Sequence, residues 1–243
     1  MLVHGLLGSR RNLSSLARRW SKGDPDRCLV LVDLPGHGGS PPIADGAGLK
    51  EVGAELLRLV DHLDLPTPVD LVGHSLGGRV SLAAFADNSA AIATVTLLDI
   101  SPSPLQKGLG GEELMQQLQQ LPPRFPGRRQ ARDEMALRGI ARSFANWMAM
   151  NLVRSAGGDC VEWRVDRRAI AEFHLRQLRR DLWPLLGPRS GDGLVCIRGE
   201  NSDYVSESDR VRLIEMGARV VTIPGAGHFL HVDAPDEVVR ALL

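Results

Sequence analysis

The chain has 243 residues, 43% hydrophobic and 24% charged, enough to bury one large core in a single α/β domain. Basic and acidic side chains balance at 29 each, so bulk charge predicts attraction to neither nucleic acid nor a membrane surface. No apolar run approaches the ~20 residues of a bilayer span, and no secretory signal precedes the first strand pattern; a soluble intracellular protein is expected. Cys28, Cys160 and Cys196 are odd in number and lack metal-ligand spacing, which excludes a disulfide framework and suits a reducing compartment. Cys28 and Cys196 lie in apolar runs and are expected to be buried.

Strand-like apolar runs alternate with helical patterns along the chain, the mark of a mostly parallel sheet flanked by helices. Residues 1–3 read as a strand, followed at once by His4, Gly5, Leu6, Leu7 and Gly8. Because this strand begins at residue 1, the strands that usually precede it are expected to be missing, leaving an exposed sheet edge. Residues 12–20 read as a helix with Asn12 as cap, and 28–34 as the second strand, running into the Pro/Gly loop Asp33 to Ser40. Helix 49–63 places Leu56, Leu59, Val60 and Leu63 on one face. Strand 69–72 meets Gly73, His74, Ser75, Leu76 and Gly77, then helix 76–87. Strand 93–98 ends at Asp99.

From 101 to 190 the strand signal disappears while Met, Trp, Leu and Arg recur at helical spacing. This stretch is too long for a simple connection, so it is read as a helical cap inserted into a core of residues 1–100 and 191–243. Pro122, Pro123, Pro126, Gly157 and Gly158 break it into short helices. The cap holds 15 Lys or Arg against 9 Asp or Glu; the excess either steers an anionic substrate or is a solvated surface. Strand 194–198, helix 206–216 with Ser206 as cap, strand 219–223 and helix 235–243 complete the core.

The chemistry gathers at strand ends. A serine in a sharp strand-to-helix turn, with glycines two residues to either side, is a nucleophile elbow, so Ser75 is the candidate nucleophile. It needs an imidazole to accept its proton. His228, in the glycine turn after the last strand, supplies one at the carboxyl ends of the strands. The acid that orients that ring is Asp99 or Asp203, each in a loop after a strand. Two backbone donors must face the developing oxyanion: the amide of Leu76 at the helix start and that of Leu6 in the first loop. Trp147, Met148 and Trp163 in the cap, with His4 and Phe229 beside the catalytic loops, either line an acyl pocket or pack as core. No metal-ligand cluster and no phosphate-binding loop is visible.

His4 and Gly5, the loop Asp33 to Ser40, the elbow and His228 together resemble the α/β-hydrolase superfamily over the whole chain. Leu98 to Pro102, Arg198 to Val205, Gly225 to His231, and Asn151 to Val153 with Trp163 to Val165 resemble YbfF-type esterases and their eukaryotic abhydrolase-domain relatives. The resemblance implies an α/β-hydrolase fold, no cofactor, and hydrolysis of an ester or thioester of a small acyl substrate through an acyl-enzyme. It also bears on the acid: the pattern of the later loop puts Ser202 where many relatives have aspartate, which favours Asp99 over Asp203. Two alternatives share the fold, a lyase of the menaquinone pathway that would use Arg79 and cap arginines to bind carboxylates, and an inactive ligand-binding protein.

Overall fold

The computed structural model describes residues 1–105, 111–187 and 190–243. The chain opens with β1 (Leu2–Val3), α1 (Ser14–Gly23), β2 (Leu31–Val32), α2 (Leu49–His62), β3 (Val69–His74), α3 (Leu76–Asp87) and β4 (Ile92–Leu98). An intervening segment supplies α4 (Glu112–Gln120), β5 (Arg124–Phe125), α5 (Arg128–Leu137), α6 (Arg142–Ala149), β6 (Leu152–Arg154), β7 (Val161–Trp163) and α7 (Arg167–Leu178). The chain returns through β8 (Leu194–Gly199), α8 (Glu207–Glu215), β9 (Arg219–Ile223), α9 (Leu230–Asp233) and α10 (Pro235–Leu242).

Six strands form one parallel sheet in the order β2-β1-β3-β4-β8-β9. Successive residues of a strand point to opposite faces, and the apolar runs divide accordingly. Val3, Leu71, Val95, Leu97 and Cys196 pack with Leu56 and Val60 of α2 and Val80 of α3. Leu2, Val72, Leu98, Ile197 and Ile223 pack on the other face with Leu16 and Trp20 of α1 and Val238 of α10. Each fully buried leucine contributes ~1.5–3 kcal/mol relative to exposure, so both helix layers are anchored to the sheet. The strand order turns at β1: its partner β2 lies on one side and β3, which leads on to β4, on the other. A crevice opens there above the carboxyl ends of the strands.

The elements follow the sequence pattern with local exceptions. Only Leu31–Val32 pairs within the second apolar run. Cys28 precedes that edge pairing and is exposed, contrary to expectation, whereas Cys196 is buried. Asn12 does not cap α1, which begins at Ser14 after a 3-10 turn; its side chain accepts the Ser9 N–H at 2.7 Å. Ser206 caps α8, accepting the Asp209 N–H at 3.1 Å.

The intervening segment corrects the expectation of a purely helical cap. It carries a three-stranded antiparallel sheet in the order β5-β7-β6. Strands of two or three residues are too short to show a period-two pattern, so the helical period of their neighbours dominates. Gly158, at φ 73°, sits in the turn between β6 and β7. Met115, Leu118, Met135, Met148, Leu152 and Ile170 form a separate apolar cluster in this segment, and Leu7 from the loop after β1 is part of it. Among the described residues no helix is long and apolar enough to cross a membrane.

Candidate active site

Ser75 sits between β3 and α3 with φ 51° and ψ −117°, a conformation that is costly for a residue with a Cβ and survives only where the surroundings enforce it. The flanking glycines are required by close approach. A Cβ on Gly73 would lie 2.4 Å from the Gly77 carbonyl oxygen, and one on Gly77 would lie 2.3 Å from that of Val3. Strand, turn and helix are thus pressed together, with Ser75 at the tip beside β1. As the first residue of α3, Leu76 has an N–H without an intrahelical acceptor, at the positive end of the helix dipole.

Asp99 follows β4 in the same register, because β4 pairs with β3 through His74 opposite Leu98. It too has a positive φ, 53°, and it is fully buried. Its carboxylate accepts from three donors: Oδ1 takes the Gly199 N–H at 2.9 Å, and Oδ2 takes the Ser202 hydroxyl and Nδ1 of His228, the latter at 2.7 Å. A carboxylate oxygen accepts, so Nδ1 is the donor in this pair and Nε2 keeps a lone pair. Tyr204 stacks on the His228 ring with centroids 3.6 Å apart and planes 13° apart. Burial, then the nearby Asp99, pushes the Tyr204 phenol up to about 12, so it is a neutral packing surface. His74 Nε2 donates to the His228 carbonyl at 2.9 Å and holds the backbone of that loop. Asp203, the other candidate acid, is exposed and makes no hydrogen bond to His228. Ser75 and His228 line one cavity; no hydrogen bond joins the hydroxyl to the imidazole.

The loop after β1 is tied down carbonyl by carbonyl. His4 Nδ1 donates to Gly5 O at 2.8 Å while its Nε2 accepts the Leu34 N–H at 3.1 Å. Burial above all lowers its pKa to about 3, so one neutral tautomer bridges the ends of β1 and β2. The Trp147 indole donates to Leu6 O at 2.7 Å and the Asn151 amide to Leu7 O at 2.5 Å. Leu7 takes φ 54°. Of the four non-glycine residues with positive φ among those described, Leu7, Ser75 and Asp99 are three, so the strained backbone concentrates in the loops that meet at the crevice.

A cavity of about 690 Å³ lies over these loops. Leu6, Ser75, Tyr204, His228 and Phe229 form its floor; Leu114, Ile140, Phe144 and Trp147 supply apolar wall from the intervening segment. Of the expected pocket residues, Trp147 and Phe229 line it. His4 is fully buried behind the first loop, because both ring nitrogens are used to join strand ends. Met148 is buried in the segment's apolar cluster, since it follows Trp147 on α6 and faces inward. Trp163 lines a different surface cleft and donates its indole N–H to Pro122 O at 2.9 Å. The residues that sequence reasoning did not single out are Tyr204, Ile140 and Phe144 in the cavity and Ser202 as a donor to the acid. Tyr204 and Ser202 had a readable signal, their place in the loop after β8 beside the second candidate acid.

Charge in the cavity runs against the basic excess of the segment. Glu112 and Glu113 line it, and among the described lining residues there is no Lys or Arg. The segment's arginines make surface pairs instead, such as Arg124 with Glu162, Arg168 with Glu172 and Arg179 with Glu112. Arg79 is also outside the cavity. It is buried, with its guanidinium spent on the carbonyls of Ser101, Ser103, Gln177 and Arg180, and desolvation lowers its pKa to about 10. It ties α3 to the end of α7; only its buried Nε–H lacks a partner, and the side chain does not reach the cavity.

The sequence profile described as the alpha/beta hydrolase family matches residues 1–241. The chain is 28% identical over 252 residues to the sn-1-specific diacylglycerol lipase ABHD11 of Mus musculus, covering 100% of this chain and 78% of that protein. It is 27% identical over 264 residues to Esterase YbfF of Escherichia coli K12, covering 100% and 90%. Among solved structures, a marine microorganism esterase superposes with a TM-score of 0.84 at 23% identity over 99% of this chain and 92% of that one, which shows the shared fold.

Proposed function

Because the chain belongs to the alpha/beta hydrolase family, we propose that it is a serine hydrolase that cleaves a carboxylic ester or thioester of a small acyl substrate through an acyl-enzyme. In this reading residues 1–100 and 191–243 form the catalytic core and 101–190 a cap over the cavity. The observation that carries it is the 2.7 Å contact of buried Asp99 with His228 Nδ1, in a loop that shares its cavity with Ser75.

Ser75 Oγ attacks the acyl carbonyl carbon while His228 Nε2 takes the hydroxyl proton. Charge moves to the carbonyl oxygen, which the amides of Leu6 and Leu76 stabilise. The imidazolium is stabilised by Asp99, whose other contacts hold it oriented. When the tetrahedral intermediate collapses, the bond to the alcohol or thiol breaks and His228 returns its proton to that leaving group. Water, deprotonated by the same ring, then attacks the acyl-enzyme; the acid leaves and Ser75 recovers its proton.

The apolar wall of Leu114, Ile140, Phe144, Trp147 and Phe229 suits an aliphatic or aromatic acyl group; Glu112 is paired with Arg179, and the carboxylate of Glu113 disfavours a negatively charged group. A neutral acyl chain is therefore the substrate class this cavity fits. A fluorophosphonate probe should label the folded protein at Ser75 and not the Ser75→Ala variant, and short p-nitrophenyl esters should be turned over by the first protein alone. Absence of Ser75-dependent labelling in folded protein would refute the reading.

A further inference from the structure

The contacts between cap and first loop do more than cover the site. Leu7 is buried in the cap's apolar cluster rather than in either core of the main sheet, and the carbonyls of Leu6 and Leu7 are taken by Trp147 and Asn151, both buried. We propose that Trp147 and Asn151 are positioning residues that hold the Leu6 amide in its oxyanion-binding orientation, so that the cap completes the oxyanion hole. The proposal rests on the reading of Leu6 as an oxyanion donor.

Peptide units are planar and trans, so each N–H points opposite to the carbonyl of its own plane. The Leu6 N–H belongs to the Gly5–Leu6 plane, whose carbonyl is held from within the core by His4 Nδ1 and by the Gly8 N–H at 3.0 Å. The next plane, Leu6–Leu7, is held by Trp147 alone among the described side chains, and Asn151 holds the Leu7–Gly8 plane, which carries the very N–H that binds Gly5 O. Leu6 joins the first two planes, and its torsions are locked only when both are fixed. Leu7 adds a driving force for release. At φ 54° a leucine is strained, and once the cap contacts are lost the loop relaxes toward negative φ, turning the Leu6–Leu7 and Leu7–Gly8 planes and, with the second, the Gly8 N–H that holds Gly5 O. The fit leaves little slack: a Cβ on Gly8 would stand 2.7 Å from Trp147 Cζ2 and 2.9 Å from Gly5 O.

A wall residue and a positioning residue differ in what their loss does. Removing wall weakens substrate binding and raises KM; misdirecting an oxyanion donor lowers kcat and the affinity for anything that mimics the tetrahedral state. Trp147→Phe keeps a ring against Phe229 and removes the N–H, and Asn151→Leu keeps volume and removes the amide. Each should lower kcat by ~10–100-fold, less than the ~100–1,000-fold of deleting an oxyanion donor outright, and in Asn151→Leu, at a position that does not line the cavity, KM should change less than ~2-fold. Affinity for an alkyl trifluoromethyl ketone should fall by the same factor. Ser75 adds to that ketone, its proton passes to His228, and the oxyanion so formed reports the hole directly. Thermal melts verify that each variant is folded. Equal ketone affinity in folded variants and parent would overturn the proposal while leaving the hydrolase reading intact. A parent protein that neither labels at Ser75 nor binds the ketone would instead remove the reading beneath it.

Discussion

The two halves of the candidate site are built differently. On the acid–base side, every group that holds Asp99 and His228 comes from the main sheet and its loops: Gly199 at the end of β8, Ser202 and Tyr204 after it, His74 at the end of β3. On the oxyanion side, the loop after β1 is shared. His4 holds it from the core, but Trp147, Asn151 and the cluster around Leu7 hold it from the cap. On this side the main sheet supplies its own supports: β8 lies between β4 and β9, and groups at its end bind Asp99 where the loops after β4 and β9 meet. A loop that must present a backbone N–H needs its neighbouring carbonyls occupied, and the sheet alone does not occupy them.

The largest effect expected from disturbing this contrast is on the acid. Asp99→Asn leaves shape intact but removes the charge that selects the His228 tautomer, so kcat on a p-nitrophenyl ester should fall by ~10⁴-fold, whereas Asp203→Asn should leave it within ~2-fold. The reverse pattern would move the acid to the other loop.

The second effect concerns acid pH and spans both halves. Burial, the largest cause in each case, lowers His4, His37 and His231 to about 3, 4 and 3, and lowers His74 well below the usual histidine value. Below pH ~6.5 the unfolded chain binds protons on these rings while the folded protein does not, so stability falls as pH drops and is retained above that value. Each ring contributes up to ~1.4 kcal/mol per pH unit within its window. The urea midpoint should fall steadily from pH 7 to pH 4.5, and a flat profile would show that the rings are protonated in the fold.

The smallest effect separates the halves most cleanly. Ser202→Ala removes one of three donors to Asp99 without touching the loop after β1, and should lower kcat by ~10-fold. Trifluoromethyl ketone affinity should change less in this variant than in Trp147→Phe if the halves are independent. Equal losses in both would show that they are coupled.

Much of the site could be read from the residues because its grammar is local. The Gly73 to Gly77 turn, the aspartate after β4 and the glycine turn before His228 each belong to one strand end, and close approach of backbone demands glycine within a few residues. Pocket residues were harder to read. Trp147, Met148 and Trp163 share composition and helical or short-strand context, and only packing separates the one that lines the cavity from the one buried in the cluster and the one facing another cleft. His4 showed the same ambiguity: next to a catalytic loop, a histidine serves substrate or scaffold according to what its nitrogens meet. The cap sheet was hidden by the shortness of its strands.

The amino-acid sequence by itself determined the parallel sheet, the elbow and the set Ser75, Asp99 and His228 as candidates, because periodicity and glycine placement act over a few residues. Tertiary structure alone decided that the Ser202 hydroxyl donates a hydrogen bond to Asp99, that Arg79 binds four carbonyls, that the cavity lining is apolar and carries no Lys or Arg among its described residues within a basic segment, and that the intervening segment grips the first loop. Those outcomes depend on which groups from distant parts of the chain meet at hydrogen-bond distance, and no local pattern encodes that meeting.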